Sequence, residues 1–175
     1  MEQRTFRLFL LKNILYTLLV LACYLLQETP ELLTLWGIRP TPVIGAVVAI
    51  AMTEGEFSGG LFGLFGGILC DMAAFHLSGV ASIFFLVLGC TCGLLIVCLV
   101  QSNLRTALLL SAAFSLIYGL VSHYLIYGLW GYEHAGRLIF TRVLPGAALT
   151  ALWGGGLFLL VRGLRARFDA ALEQH

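Results

Sequence analysis

The sequence predicts an all-α membrane protein, a polytopic bundle of six helical spans in one integral membrane domain covering residues 1–175. Three observations carry this. Hydrophobic residues make up 60% of the 175 residues and charged residues only 11%, against about 25% charged in an ordinary soluble domain. Mean hydropathy is +0.98. The apolar residues fall into runs of near membrane-crossing length, separated by short polar breaks. So few charges cannot clothe a water-soluble surface. The composition therefore excludes a disordered chain, a basic nucleic-acid binder and a soluble enzyme, and the net charge of +1 implies no oppositely charged partner.

The first span runs from about 8 to 26. Arg4 and Arg7 precede it as in a signal peptide, and Leu19-Val20-Leu21-Ala22-Cys23 is like a lipoprotein cleavage box. The apolar run continues past it through Tyr24, Leu25 and Leu26, so an uncleaved first helix is expected. After the polar break Gln27-Glu28-Thr29-Pro30-Glu31, the short apolar piece Leu32–Ile38 belongs at the membrane surface, with Trp36 at headgroup depth. The second span, about 42–53, is short for a crossing. It either borrows length from the preceding segment or is a discontinuous element.

Glu54-Gly55-Glu56 breaks the chain before the third span, about 58–75, which ends at Asp71-Met72-Ala73-Ala74-Phe75-His76. Gly79 opens the fourth span, about 79–100. Gln101-Ser102-Asn103-Leu104-Arg105 turns into the fifth, about 106–130. The polar loop 131–137 leads to the sixth, about 138–161, and Arg162, Arg165 and Arg167 follow. Six crossings put Arg4, Arg7, Lys12, Arg105, Arg162, Arg165 and Arg167 on one side and only Arg39, Arg137 and Arg142 on the other. The positive-inside rule makes the first side, and with it both termini, cytoplasmic. A five-span topology, with 42–53 re-entrant, would separate Arg105 and the tail from Arg4.

The third span carries the densest signal. Gly59, Gly63 and Gly67 repeat every fourth residue, Gly66 widens the stripe, and Gly89 and Gly93 repeat the device in the fourth span. Glycine lets helix backbones approach closely, so these are candidate packing or partner-docking residues. Asp71 lies four residues beyond Gly67, near the same face. An acid at the end of an apolar span is either paired and functional or a carboxylate in interfacial water. Arg137 or Arg142 could pair with it, and His76 shares its loop.

Glu54 and Glu56 are read as solvated carboxylates of a tight cytoplasmic turn, with contact to a cytoplasmic protein as the alternative. Ser115, Tyr118, Ser122 and Tyr127 share a face of the fifth span beside His123. They either hydrogen-bond between helices or line a small polar cavity. Trp153-Gly154-Gly155-Gly156 allows a kink or a close crossing. The cysteines Cys23, Cys70, Cys90, Cys92 and Cys98 sit in apolar surroundings and are read as small hydrophobes. No phosphate-cradling loop, His-Glu-x-x-His zinc motif or Gly-x-Ser-x-Gly elbow occurs in the sequence. No catalytic residue, metal ligand or cofactor is assigned.

The run Gly59-Gly60-Leu61-Phe62-Gly63-Leu64-Phe65-Gly66-Gly67-Ile68-Leu69-Cys70-Asp71, followed by Gly79 opening the next span, resembles the rod shape-determining protein MreD family. Pro40 and Pro42 before the second span, the length and the short charged tails fit the same layout. The resemblance implies a non-enzymatic scaffold of the bacterial cell-elongation complex. Such proteins associate with MreC, a single-span protein, and through it with MreB filaments, a SEDS-type peptidoglycan polymerase and its transpeptidase. The family is similar in fold to the six-span S-components of energy-coupling-factor vitamin transporters. That likeness supplies the alternative function, in which Asp71, His76, Arg137 and Tyr132 would cluster in a ligand pocket.

Overall fold

The structure, a computed structural model, describes residues 2–29, 40–73, 79–98, 101–124 and 143–173. Every regular element among them is a helix: α1 Glu2–Glu28, α2 Pro42–Glu54, α3 Glu56–Ala73, α4 Val80–Cys98, α5 Leu104–His123 and α6 Leu144–Glu173. The boundaries follow local chemistry. Pro42 stands at the start of α2, where its missing N–H is not needed and its fixed φ suits a first turn. Gly55 (φ +92°) alone joins α2 to α3, and Gly79 (φ +101°) leads into α4. Both have the left-handed backbone that only glycine adopts without penalty.

α2 is the centre of the bundle. Every residue from Pro42 to Thr53 is buried, and α1, α3, α4, α5 and α6 all pack on it. It is apolar or small all the way round, the pattern of a helix with protein on every side. Its thirteen residues span about 20 Å, less than the roughly 30 Å of a hydrocarbon core. It is therefore the short second element expected from the sequence, and its burial lets it be short: its polar backbone ends meet protein, not lipid.

Contacts fix the helix directions. Tyr16 meets Phe62 edge-on at 5.8 Å, and Gln27 bonds Cys70, so α1 and α3 run parallel. Ala51 faces Gly59 and Val43 faces Gly66, so α2 opposes α3. Gly59 faces Gly89 and Gly67 faces Ser82, so α4 opposes α3. Thr41 meets Thr150 and Gly45 meets Gly154, so α6 runs parallel to α2. Ser111 meets Gly154 and Gly119 meets Val143, so α5 opposes α6. The directions thus alternate along the chain. The start of α1, the 54–56 turn, the start of α5 and the end of α6 lie at one end of the bundle.

Four helical segments are long and apolar enough to cross a membrane: Phe9–Glu28, Val80–Cys98, Leu104–Ser122 and Leu144–Phe168. Six helices are present among the described residues, as the six-span reading has it, but only these four meet that length and hydropathy: α2 is short, as expected, and α3 is diluted by glycine and by Glu56 and Asp71. The outward faces are apolar, with Leu10, Leu11, Ile14 and Leu18 exposed on α1, Ile83, Val87 and Val97 on α4, and Leu152, Leu159 and Leu160 on α6. These surfaces suit lipid. The bundle is a helical membrane protein.

Candidate functional site

The glycines of α3 face inward. A Cβ at Gly59 would stand 2.5 Å from the Ala51 methyl and 2.8 Å from the Gly89 carbonyl oxygen. At Gly63 it would strike the Phe85 carbonyl, at Gly67 the backbone of Ala81 and Ser82, and at Gly66 the Val43 side chain at 2.9 Å. Gly89 and Gly93 answer from α4, against Gly59 and against the backbone of Glu56. The two helices therefore touch backbone to backbone along their length. Of the two roles open to the glycine stripe, this geometry is internal packing. The face is occupied by α4 and α2, which leaves no room on it for a partner's helix. Gly154 likewise makes a close crossing, of α6 with Gly45 of α2 and Ser111 of α5.

Asp71 reaches from the end of α3 to the start of α4. Its Oδ1 accepts the Ala81 N–H at 3.1 Å, and its Oδ2 accepts the Ser82 N–H at 2.9 Å together with the Ser82 hydroxyl. The first N–H groups of a helix have no partner within it, and a carboxylate there is favoured both as acceptor and by the helix dipole. Asp71 thus caps a neighbouring helix, a role that spacing within α3 alone does not reveal. Arg137, Arg142, His76 and Tyr132 lie outside the described residues.

At the end of the bundle that holds the 54–56 turn, α1 and α2 are joined by charge. Lys12 Nζ lies 2.6 Å from Glu54 Oε2, with 18% and 12% of the two side chains exposed. The Tyr16 hydroxyl donates to Glu54 Oε1 at 3.0 Å. Lys12 and Tyr16 are one helical turn apart, so one face of α1 holds both carboxylate oxygens. Glu54 is therefore not the freely solvated turn residue expected from the sequence. Its environment is set by α1, 42 residues away. Glu56 is exposed, as the solvated reading has it.

The opposite end of α2 is held by hydroxyls. The Thr41 N–H donates to Thr150 Oγ1 at 3.0 Å, and Thr150 donates in turn to the Gly146 carbonyl at 2.8 Å. Thr41 Oγ1 lies 3.3 Å from Thr150 Oγ1 and 3.5 Å from Ser115 Oγ. Thr150 is fully buried and Ser115 nearly so. One turn earlier in α5, Ser111 is buried against Gly154. The sequence singled out Ser115 but neither Thr41 nor Thr150. The one available signal was the Ser111–Ser115 spacing of a single turn. Tyr118, on the same face, does not join the hydroxyls. It packs on Phe84 and Phe85 at 5.3 and 5.1 Å.

All five cysteines are free thiols, with Cys23, Cys70 and Cys92 buried. No group of three metal-ligating side chains occurs among the described residues. The described polar groups thus tie helices together: Glu54 joins α2 to α1, Asp71 joins α3 to α4, and Thr41 joins the start of α2 to α5 and α6. No protein-family model, curated protein or solved structure matches this chain.

Proposed function

We propose that this protein is a non-enzymatic membrane scaffold of the bacterial cell-elongation complex, which binds an MreC-like single-span protein and supports peptidoglycan synthesis and rod shape. The observation that carries this reading is how the polar and small residues are used. Glu54, Asp71 and the glycines of α3 and α4 engage other helices of the same chain. The result is a firmly packed body with apolar helix faces turned outward, which is what a scaffold within a membrane requires. The resemblance of 59–71 and Gly79 to the MreD family supplies the identity of the complex.

On this reading all six helices cross the cytoplasmic membrane, α2 within its protein sheath, and both termini are cytoplasmic. The charge distribution supports that orientation, since Arg105, Arg162, Arg165 and Arg167 share the end where α1 begins. The MreC-like helix meets an outward apolar face, not the occupied glycine stripe. A SEDS polymerase and its transpeptidase join through that partner, and MreB filaments indirectly. Neither nucleic acid nor a cofactor is part of the mechanism.

A second reading, the substrate-binding S-component of an energy-coupling-factor vitamin transporter, is favoured by one observation. The Thr41, Ser115 and Thr150 hydroxyls gather inside the bundle at the start of a short buried helix, the kind of convergent polar group a ligand pocket needs. Affinity purification from native membranes in mild detergent separates the two. Recovery of an MreC-like protein with a peptidoglycan polymerase is the expected outcome. Recovery of ATPase subunits with a bound vitamin would replace the scaffold by the transporter.

A further inference from the structure

Thr17, Thr53, Thr91 and Thr150 each spend their hydroxyl on their own helix, donating to the carbonyl four residues back. Ser111 does not. It is fully buried, and its hydroxyl has no hydrogen-bond partner among the described residues. The hydroxyl turns instead across the α5–α6 contact, where a Cβ at Gly154 would strike it. A hydroxyl buried in this way costs free energy unless something supplies a partner.

It points to the place where three helices meet. Gly154 of α6 lies against Gly45 of α2 as well as against Ser111 of α5. One turn away on the same three helices stand Thr150, Thr41 and Ser115. Each helix thus brings two small residues, and no long or charged side chain occurs at the six positions. Thr41 Oγ1 lies 3.3 Å from Thr150 Oγ1 and 3.5 Å from Ser115 Oγ. The second distance is long for a bond between hydroxyls, so Ser115 keeps capacity for another partner. Thr41 stands at the head of α2, yet its hydroxyl does not cap that helix.

We propose that this junction is a binding site for one water molecule, held by the hydroxyls of Ser111, Ser115 and Thr41. Residues one turn apart on a helix have Cβ atoms about 5–6 Å apart. That is the span of two hydrogen bonds of about 2.8 Å with a single oxygen between them. A buried water makes about three hydrogen bonds, and these three hydroxyls supply them. Water suits the site better than an ion does. It donates and accepts as hydroxyls do, and the six positions offer no charge to balance an ion in so apolar a place. Bound there, the water ties Ser111 of α5 to the start of α2. The inference goes beyond both readings of the function and rests on neither.

The test uses the full chain in nonionic detergent micelles, with water itself as the probe. Oxygen-17 relaxation dispersion of the solvent counts long-lived internal waters and is blind to exchanging hydroxyl protons. The Ser111→Ala and Ser111→Cys variants are expected to lose the contribution of one such water. Thr91→Ala, which removes a hydroxyl bonded to its own helix, is expected to keep it. Helical circular dichroism and size-exclusion profiles check that each variant is folded. A second readout is stability. With a water bound, Ser111→Ala breaks its bridge and lowers the unfolding midpoint. Without one, the same change removes an unsatisfied hydroxyl and the midpoint stays or rises. Unchanged dispersion in both Ser111 variants overturns the proposal, and so does a Ser111→Ala midpoint at or above that of the wild type.

Discussion

Replacing Gly63 by alanine adds one methyl group at one of the closest points of the α3–α4 contact. That methyl would stand 2.8 Å from the Phe85 carbonyl carbon, closer still to its oxygen, and 3.3 Å from Val47 of α2. Ordinary carbon contacts are about 3.5–4.0 Å, so α4 must retreat by about 1 Å. The obstacle is backbone, and no rotamer change relieves it. A radial gap of 0.5–1 Å forfeits about a quarter to a half of the dispersion energy at each pair along the seam. Overpacking of this kind costs about 1–3 kcal/mol, and replacing a helical glycine by alanine returns about 1 kcal/mol. The net expected effect is destabilisation by up to about 2 kcal/mol. Gly156 on α6 is the control, because a Cβ there meets nothing within 4 Å. Gly156→Ala should therefore gain up to about 1 kcal/mol from helix propensity alone. Both are measured by titrating mixed micelles with increasing mole fractions of a denaturing detergent and following helicity by circular dichroism. Equal midpoints, or a Gly63→Ala variant more stable than Gly156→Ala, would falsify the internal packing of the glycine stripe.

Three further outcomes are expected from the same titration. Lys12→Met leaves Glu54 part-buried with Tyr16 as its remaining partner among the described residues; it should destabilise by about 3 kcal/mol, and much of this should return in the Lys12→Met/Glu54→Gln double variant. An additive double-mutant cycle would show that the ion pair contributes nothing. Asp71→Asn keeps one acceptor oxygen for the start of α4 and should cost about 1 kcal/mol, less than Gly67→Leu, which drives a side chain into the Ala81–Ser82 backbone; the reverse order would point to a role for Asp71 beyond capping. Thr150→Val removes the acceptor of the Thr41 N–H and should cost about 1–2 kcal/mol, accompanied by faster amide exchange at Thr41; unchanged exchange there would contradict the assigned bond.

Much of the secondary structure was legible because its signals are local. The second span was read as 42–53 and α2 is Pro42–Glu54; the fourth was read as 79–100 and α4 is Val80–Cys98. Proline and glycine at fixed offsets punctuate these boundaries, and Gly55 and Gly79 are the positions where the backbone takes positive φ. The third span was read to start two residues late, because Glu56 was assigned to the turn and not to the first turn of α3. The last helix runs to Glu173, well past the apolar run that ends near 161. Hydropathy marks what suits lipid, and a helix does not end where the bilayer does.

The candidate residues fared according to how far away their partners lie. The glycine spacing announced close helix packing, and α3 and α4 are neighbours in sequence. Glu54 and Asp71 were visible as acids, but not with their partners. The sequence alone determined that the chain is an apolar helical bundle, that α2 starts at Pro42 and α4 just after Gly79, and which faces admit close approach. Only the tertiary structure decided that α2 is central, that Lys12 holds Glu54 across 42 residues, and that Thr41 meets Thr150 across 109. The physical reason lies in the solvent. In water, polarity separates the outer face of a helix from the inner one, and the pattern can be read. In a bilayer both the core and the surroundings are apolar, so side-chain shape and scarce polar pairs choose the neighbours, and those choices exist only once the helices are assembled.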